Sequence, residues 1–245
     1  MAWFKEWFNT PYYHILYKDR DFQEAEIFIS KLTEFLKLPK NSKIIDLACG
    51  KGRHSLYLNR LGYDVMGLDL SEESILHNQQ FENENLKFAV HDMRDEIFPQ
   101  LISEKADVVM NLFTSFGYFD DEKDDEKVFA SVKNVLKNKG IFVLDFLNEE
   151  FVKKTLVPET IQNKGGIDFH IKKRIENNYI IKDIIFEDDN QQHHYFEKVK
   201  LHKAEEILEI AKKTSFSKKD IFGNYLLEDF DAETSPRSIL ILEAK

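Results

Sequence analysis

Residues 46–58 read DLACGKGRHSLYL, and this stretch decides the fold. An aspartate, two glycines and the one cysteine of the chain stand between a strand-like run, KIIDL (43–47), and a helix-like run from about Arg53 to Arg60, closed by Gly62. Strand, glycine turn and helix in that order open a parallel α/β sheet, and such sheets bind ligands at the carboxyl ends of their strands. Glycine at that point lets the backbone come close to a ligand.

Outward from the turn the same grammar repeats. YDVMGLDL (63–70) leads to a helix capped by Ser71, with Glu72 and Glu73 in its first turn. LKFAV (86–90) and ADVVMNLF (106–113) read as two more strands. The acidic run Asp120 to Glu126 reads as the solvated start of a helix carrying Val128, Val132, Val135 and Leu136. Gly140 then precedes the strand IFVLDF (141–146). Upstream, Asp21 and Glu24 predict a capping box, and Phe22, Ala25, Phe28, Ile29, Leu32, Phe35 and Leu36 recur at helical spacing up to Pro39. Residues 1–20 carry Trp3, Phe4, Trp7, Phe8, Tyr12, Tyr13 and Tyr17, which predict short helices lying on the body.

After Phe151 the pattern changes. Ile167, Phe169 and Ile171 alternate with polar residues, and Tyr179 to Phe186 and Tyr195 to Leu201 follow, predicting an antiparallel meander of about three strands. A helix from about Ala204 to Lys213 restores the α/β pattern. Two final strands, near 220–225 and 238–244, are joined by a loop with Pro236 and Arg237; without a crossover helix they pair antiparallel. The expected architecture is α/β, a doubly wound, mostly parallel seven-stranded sheet with an antiparallel β insertion. Residues 1–40 are expected to form a helical lid, 41–150 and 203–245 the core, and 151–202 the insertion that caps a substrate.

Bulk composition bounds the function. A chain of 245 residues with 42% hydrophobic content supports one substantial core with an appendage. Its formal charge of −10, with dispersed acids, offers no basic surface to a phosphate backbone. A lone cysteine excludes an internal disulfide and any cysteine-rich zinc site. The start MAWFKEWFNT is not a charged leader followed by an apolar stretch, and no apolar run is long enough to cross a bilayer. These features predict a soluble, cytoplasmic protein with neither nucleic acid nor membrane as partner.

Two ligand classes use a glycine turn after the first strand. A dinucleotide site seats a pyrophosphate with G-x-G-x-x-G/A, but Gly50-Lys51-Gly52-Arg53-His54-Ser55 puts serine in the third slot. Asp46 stands four residues before Gly50, where a carboxylate repels a pyrophosphate and attracts an ammonium or sulfonium. Asp69 closes the second strand 19 residues after Gly50, placed to accept from ribose hydroxyls. Asp92 follows the third strand and suits an exocyclic adenine amine, although it also suits a turn.

Across residues 40–146 the chain resembles the class I S-adenosylmethionine-dependent methyltransferases, in the branch acting on small molecules. D-x-x-x-G-x-G is Asp46 to Gly52, the ribose acid is Asp69, the adenine-side pair is Asp92-Met93, and the fourth-strand motif is Asn111-Leu112-Phe113. The resemblance implies a Rossmann-like methyltransferase fold with S-adenosyl-L-methionine as cofactor and no metal. It implies that Asp46, Ala48, Gly50 and Gly52 hold the methionine portion, that Asp69 and Leu70 lie at the ribose, that Met93 flanks the adenine, and that Asn111 and Leu112 add contacts. FTSFGYF (113–119) is similar to a stretch of sugar-amine N-methyltransferases, which places Thr114, Phe116 and Tyr118 on the substrate side.

Methyl transfer from a sulfonium is an in-line displacement with an activated donor, so alignment and exclusion of water supply much of the rate. A base is needed only if the acceptor arrives protonated, and Tyr118, His54 and His194 are the candidates. His54, one turn into its helix, either takes that role or orients the loop. His193 and His194 are neighbours on a strand and point to opposite faces, so they cannot both aim at one metal without distortion. Tyr12, Tyr13 and Tyr17 either close over the cofactor as a lid, with Tyr17 at the cofactor and Tyr13 at the substrate, or pack as a surface helix. Arg237, at the start of the last strand, either pairs with a substrate carboxylate or holds its loop. Cys49 reads as a small residue fitting the turn.

The leading expectation is therefore a methyltransferase acting on a nitrogen or oxygen of a small molecule. A nucleic-acid methyltransferase is disfavoured by the charge and by the absence of prolines in Asn111 to Thr114. A nicotinamide-dependent oxidoreductase is disfavoured by Ser55 and Asp46. A non-catalytic, S-adenosylmethionine-binding regulatory protein shares the same core.

Overall fold

The computed structural model describes residues 3–19 and 22–245, without the side chain of Glu122. The helices are α1 (Trp3–Trp7), α2 (Pro11–Leu16), α3 (Phe22–Leu36), α4 (Arg53–Arg60), α5 (Glu72–Gln79), α6 (Glu122–Val135), α7 (Glu149–Thr155) and α8 (Ala204–Lys213). The strands are β1 (Lys43–Leu47), β2 (Asp64–Asp69), β3 (Leu86–Val90), β4 (Ala106–Asn111), β5 (Leu136–Leu147), β6 (Glu159–Lys164), β7 (Ile167–Glu176), β8 (Tyr179–Asp188), β9 (Gln191–Lys200), β10 (Phe216–Phe222) and β11 (Arg237–Ala244). The expected capping box at Asp21 lies outside the described residues. No helix among the described residues is long and apolar enough to cross a membrane.

Seven strands form one sheet in the order β10-β11-β5-β4-β1-β2-β3. Only β11 runs against its neighbours, pairing antiparallel with both β5 and β10, as the short last connection predicts. Strands β1, β4 and β5 are buried almost throughout because helices cover both faces, which is why they read as unbroken apolar runs. One apolar layer holds Val128, Phe129 and Val132 of α6 with Ile207 of α8; the other holds Phe28, Ile29 and Leu32 of α3 with Leu58 of α4. From β1 the chain winds outward through β2 and β3, then crosses to β4 on the opposite side of β1. That reversal opens a crevice above the carboxyl ends of β1 and β4.

Several sequence expectations need correction. Gly140 lies inside β5 rather than before it. Ala106 pairs with Leu136 and Val108 with Ile141, so residues 137–140 bulge out of a strand that continues on both sides. The acidic run is not uniformly solvated, because Asp125 is buried beside His202 at 3.2 Å and Asp124 pairs with Arg94. The meander has four strands, not three, in the order β6-β7-β8-β9. Strand β6 has no buried residue, so as an edge strand it lacks an apolar alternation to read. The turns joining the four use Gly165-Gly166, Asn177-Asn178 and Asp189-Asn190, each with positive φ at both residues, the geometry a tight hairpin requires.

The buried face of this second sheet, Ile167, Phe169, Ile171, Ile184 and Phe186, packs on Trp7 and Leu16 of α1 and α2. The amino-terminal helices are thereby anchored to the insertion. Thr10 caps α2 by accepting from the Tyr13 N–H at 3.1 Å, and Pro11 follows at the first helical position.

Candidate functional site

A cavity of about 350 Å³ occupies the crevice. Its floor is the glycine turn, where Ala48 and Gly50, both with positive φ, line the cavity; Gly52, also with positive φ and expected at the cofactor, does not line it. A side chain at Gly52 would press within 3.2 Å of the Phe88 ring and 3.3 Å of Asn78, whereas one at Gly50 would meet nothing within 4 Å. The backbone of Gly50 thus faces open space, a cradle that any Cβ would partly fill. Asn78 of α5, buried, donates to the Gly50 carbonyl at 2.7 Å and braces the turn from behind.

The N–H groups of the turn discriminate between ligands. Gly50 N–H donates to Asp69 Oδ2 at 2.7 Å, and Gly52 N–H donates to the Cys49 carbonyl at 3.0 Å. Asp69 Oδ1 also accepts from Ser71 N–H at 2.8 Å. Both glycine N–H groups of the turn are thus committed within the chain rather than offered to a diphosphate, and Asp69 lines the cavity beside them.

Asp92 lines the same cavity and is gripped by Arg94 through Nε to Oδ1 at 2.9 Å and Nη2 to Oδ2 at 2.6 Å. That guanidinium holds its carboxyl below the ordinary carboxylate value and keeps it ionised as an acceptor. Leu70, Met93 and Leu112 complete the apolar lining. Besides His14 of the amino-terminal segment, the lining holds three histidines, the expected His54 and the unexpected His77 and His91. His91 Nε2 is buried with no hydrogen-bond partner, and burial pushes its pKa down, so it meets a ligand as a neutral ring. The only hint of it in the sequence is its position before Asp92, in the same strand-end turn.

The roof comes from the amino terminus. Phe4, Phe8, Tyr13, His14 and Tyr17 line the cavity, so the aromatic segment delivers Tyr13 and Tyr17 to the site. Tyr12 is separated from them and donates to Asp188 Oδ2 at 2.9 Å on the second sheet. Tyr118 lines this cavity and also a second, more open one of about 540 Å³ between α1, the start of α6 and β9. Its hydroxyl donates to the Thr114 carbonyl at 2.7 Å. The second cavity carries aromatic rings including Trp3, Trp7 and Phe196, the carboxylates of Glu6, Asp120, Asp121 and Asp124, and the cations Arg94 and Lys198, which pair with Asp124 and Asp120.

Other expected site residues lie elsewhere. Asp46 is buried off the cavity wall and accepts from Ser55 Oγ at 2.6 Å; burial raises its pKa to about 6. Asn111 is also behind the wall, where Nδ2 donates to the Leu47 carbonyl at 3.0 Å. Phe116 is fully buried against Phe129, Phe146 and His202 and presents no surface to a substrate. Arg237 does not line the cavity: its Nε donates to Asp145 Oδ1 at 2.8 Å and its Nη2 to Thr114 Oγ1 at 2.7 Å. Asp145 Oδ2 accepts in turn from Phe113 N–H at 2.8 Å and the Tyr225 hydroxyl at 3.1 Å. Arg237 and Thr114 therefore hold the 113–115 loop, whose Phe113 and Ser115 do line the cavity. His194 lies at the second cavity, exposed and 3.0 Å from Asp183, away from the glycine turn. His193 faces the other way, stacked on Phe186 at 5.0 Å. Cys49 is buried and its thiol pKa is raised by burial, as befits a packing residue of the turn.

Comparison with known proteins matches this geometry. Residues 38–198 match a family described as a methyltransferase domain. The chain is 32% identical over 136 residues to a glycine/sarcosine N-methyltransferase of Aphanothece halophytica, covering 54% of this chain and 49% of the relative. It is 28% identical over 131 residues to dTDP-3-amino-3,4,6-trideoxy-alpha-D-glucopyranose N,N-dimethyltransferase of Streptomyces venezuelae, covering 53% of each. It thus spans about half the length of the curated relatives it matches. The fold superposes on an S-adenosylmethionine-dependent methyltransferase from Clostridium acetobutylicum with a TM-score of 0.78 at 20% identity, over 95% of this chain and 96% of the other. The chain belongs to the class I S-adenosylmethionine-dependent methyltransferases.

Proposed function

We propose that the protein transfers a methyl group from S-adenosylmethionine to a nitrogen or oxygen atom of a small molecule, with the acceptor entering through the second cavity. The observation that carries this reading is the glycine turn: its donors are spent on Asp69 and Cys49, while Asp69 and Asp92 line the crevice as ionic acceptors. The bound cofactor supplies an electrophilic methyl on a sulfonium. The residues of the chain supply the rest. Asp69 takes the ribose hydroxyls, Asp92 the adenine amine, and Met93 flanks the ring. Gly50 admits the methionine portion, and Phe4, Phe8, Tyr13 and Tyr17 exclude water from the reacting end.

Tyr118 lies on the wall of both cavities, with Phe4 and Phe119, and carries the polar group among the three. Its proton is committed to the Thr114 carbonyl, so it orients an acceptor rather than deprotonating it. Four carboxylates against the two cations Arg94 and Lys198 leave the second cavity acidic, and with its aromatic faces this favours an amine over a hydroxyl, since both attract a cation. The amine methylation named for the two relatives above supports the same choice.

The test is calorimetry with S-adenosylmethionine and NADH, followed by turnover with a panel of amines, hydroxy acids and sugars. S-adenosylmethionine binds and an amine is methylated if the reading holds. NADH binding without a response to S-adenosylmethionine overturns it, and cofactor binding without turnover across the panel favours a non-catalytic sensor.

A further inference from the structure

The second sheet contributes nothing to the wall of the main cavity among the described residues, yet one of its carboxylates touches a wall residue of each cavity. Glu197 Oε1 accepts from the Tyr17 hydroxyl at 2.6 Å and from Trp7 Nε1 at 2.8 Å. Tyr17 lines the cofactor cavity and Trp7 the second cavity. Lys182 stands directly opposite Glu197 in the β8–β9 ladder, with Nζ 3.5 Å from Glu197 Oε2. It also donates to the Tyr17 hydroxyl and lies over that ring, 4.6 Å from its centre.

We propose that Glu197 is a positioning residue that ties the roof over the cofactor to the wall of the acceptor cavity, so that cofactor binding under Tyr17 is felt at Trp7. This rests on the cofactor reading above. Both donors converge on one oxygen, so moving one reorients the acceptor seen by the other. The carboxylate and its lysine are 19% and 16% exposed, where water screens them weakly and hydrogen bonds to an ionised group are strong. Trp7 is nearly fully buried, stacked on Tyr195 at 4.7 Å, so a shift of its indole changes a packed environment. The attachment of the amino-terminal segment does not depend on Glu197. Tyr12 bonds Asp188, and Lys164 bonds Asp19 at 2.7 Å, at other points on the same sheet.

The chain has two tryptophans, Trp3 and Trp7, both in α1, so selectively excited tryptophan emission reports on this segment, the tyrosines being left unexcited. S-adenosylhomocysteine is titrated into the wild type, Glu197→Gln, Tyr17→Phe and the double variant, with Asp188→Asn as control. The wild type changes tryptophan emission on binding. Each single variant raises Kd about tenfold, as expected for a lost hydrogen bond to a charged group, and loses most of the emission change. The double variant is no worse than the weaker single, and the control behaves as wild type. Wild-type affinity and an undiminished emission response in both single variants overturn the proposal. Tyr17→Phe removes one hydroxyl and decides the matter if Glu197→Gln fails to fold. If the wild type does not bind S-adenosylhomocysteine, the cofactor reading fails and this proposal falls with it; binding by wild type with indifferent variants sinks the proposal alone.

Discussion

Replacing Asp46 with asparagine should make the protein more stable at neutral pH and less able to hold a cationic cofactor. The carboxyl is buried, and desolvation is the largest cause of its raised pKa, with Asp69 adding to the rise and the Ser55 hydroxyl opposing it. A move from 3.8 to about 6 corresponds to about 3 kcal/mol. The folded form binds this proton more tightly than the unfolded chain, so its contribution to stability falls as pH rises from about 4 through about 6, and is level above. Asparagine keeps the shape and removes the charge, at the cost of about 1 kcal/mol for a weaker bond to Ser55. The net is a gain of about 2 kcal/mol above pH 7, or roughly 5 °C in Tm for a chain of this size, turning into a small loss below pH 4.5. Thermal unfolding followed by circular dichroism from pH 3.5 to about pH 8 measures this crossover. A variant destabilised equally at pH 5 and pH 8 would falsify the argument. In parallel, affinity for S-adenosylmethionine should fall more than affinity for S-adenosylhomocysteine, whose sulfur is a neutral thioether, because the buried carboxylate acts on the sulfonium through its field rather than by contact.

Three further outcomes are expected. Asp69→Ala weakens cofactor binding by about 1–3 kcal/mol and loosens the glycine turn, since the carboxylate accepts from both Gly50 and Ser71; calorimetry showing unchanged affinity in a folded variant counts against the assigned role. Asp145→Ala leaves the Arg237 guanidinium buried without its partner and removes the acceptor for Phe113 N–H, costing about 3–5 kcal/mol in denaturant unfolding; a loss under 1 kcal/mol contradicts the view that this pair holds the 113–115 loop. Steady-state kinetics should show Tyr118→Phe raising KM for the acceptor with a modest change in kcat, while His194→Ala changes neither; a collapse of kcat in either variant would identify that side chain as a base.

The sequence by itself determined the framework of this protein. Unbroken apolar runs at β1, β4 and β5, separated by helical periods, require a sheet covered on both faces, and a short last connection requires a reversed edge pair. Glycine spacing then places the turn, and topology carries Asp69 and Asp92 to the crevice because both end neighbouring strands on the same side of β1. These features are local, or follow from the order of elements.

Side-chain direction and distant partners emerge only when the chain has folded. Asp46 turns to Ser55 behind the wall, and Phe116 enters the core, because side-chain direction depends on what packs beneath the strand end. Arg237 is spent on Asp145, 92 residues away in the chain, and Trp7 finds Glu197 at a separation of 190. Strand β6 buries nothing and so carries no period, and the aromatic helices α1 and α2 reveal their purpose only once the second sheet is folded against them. Periodicity encodes which face of an element is apolar; it does not encode which other face will cover it.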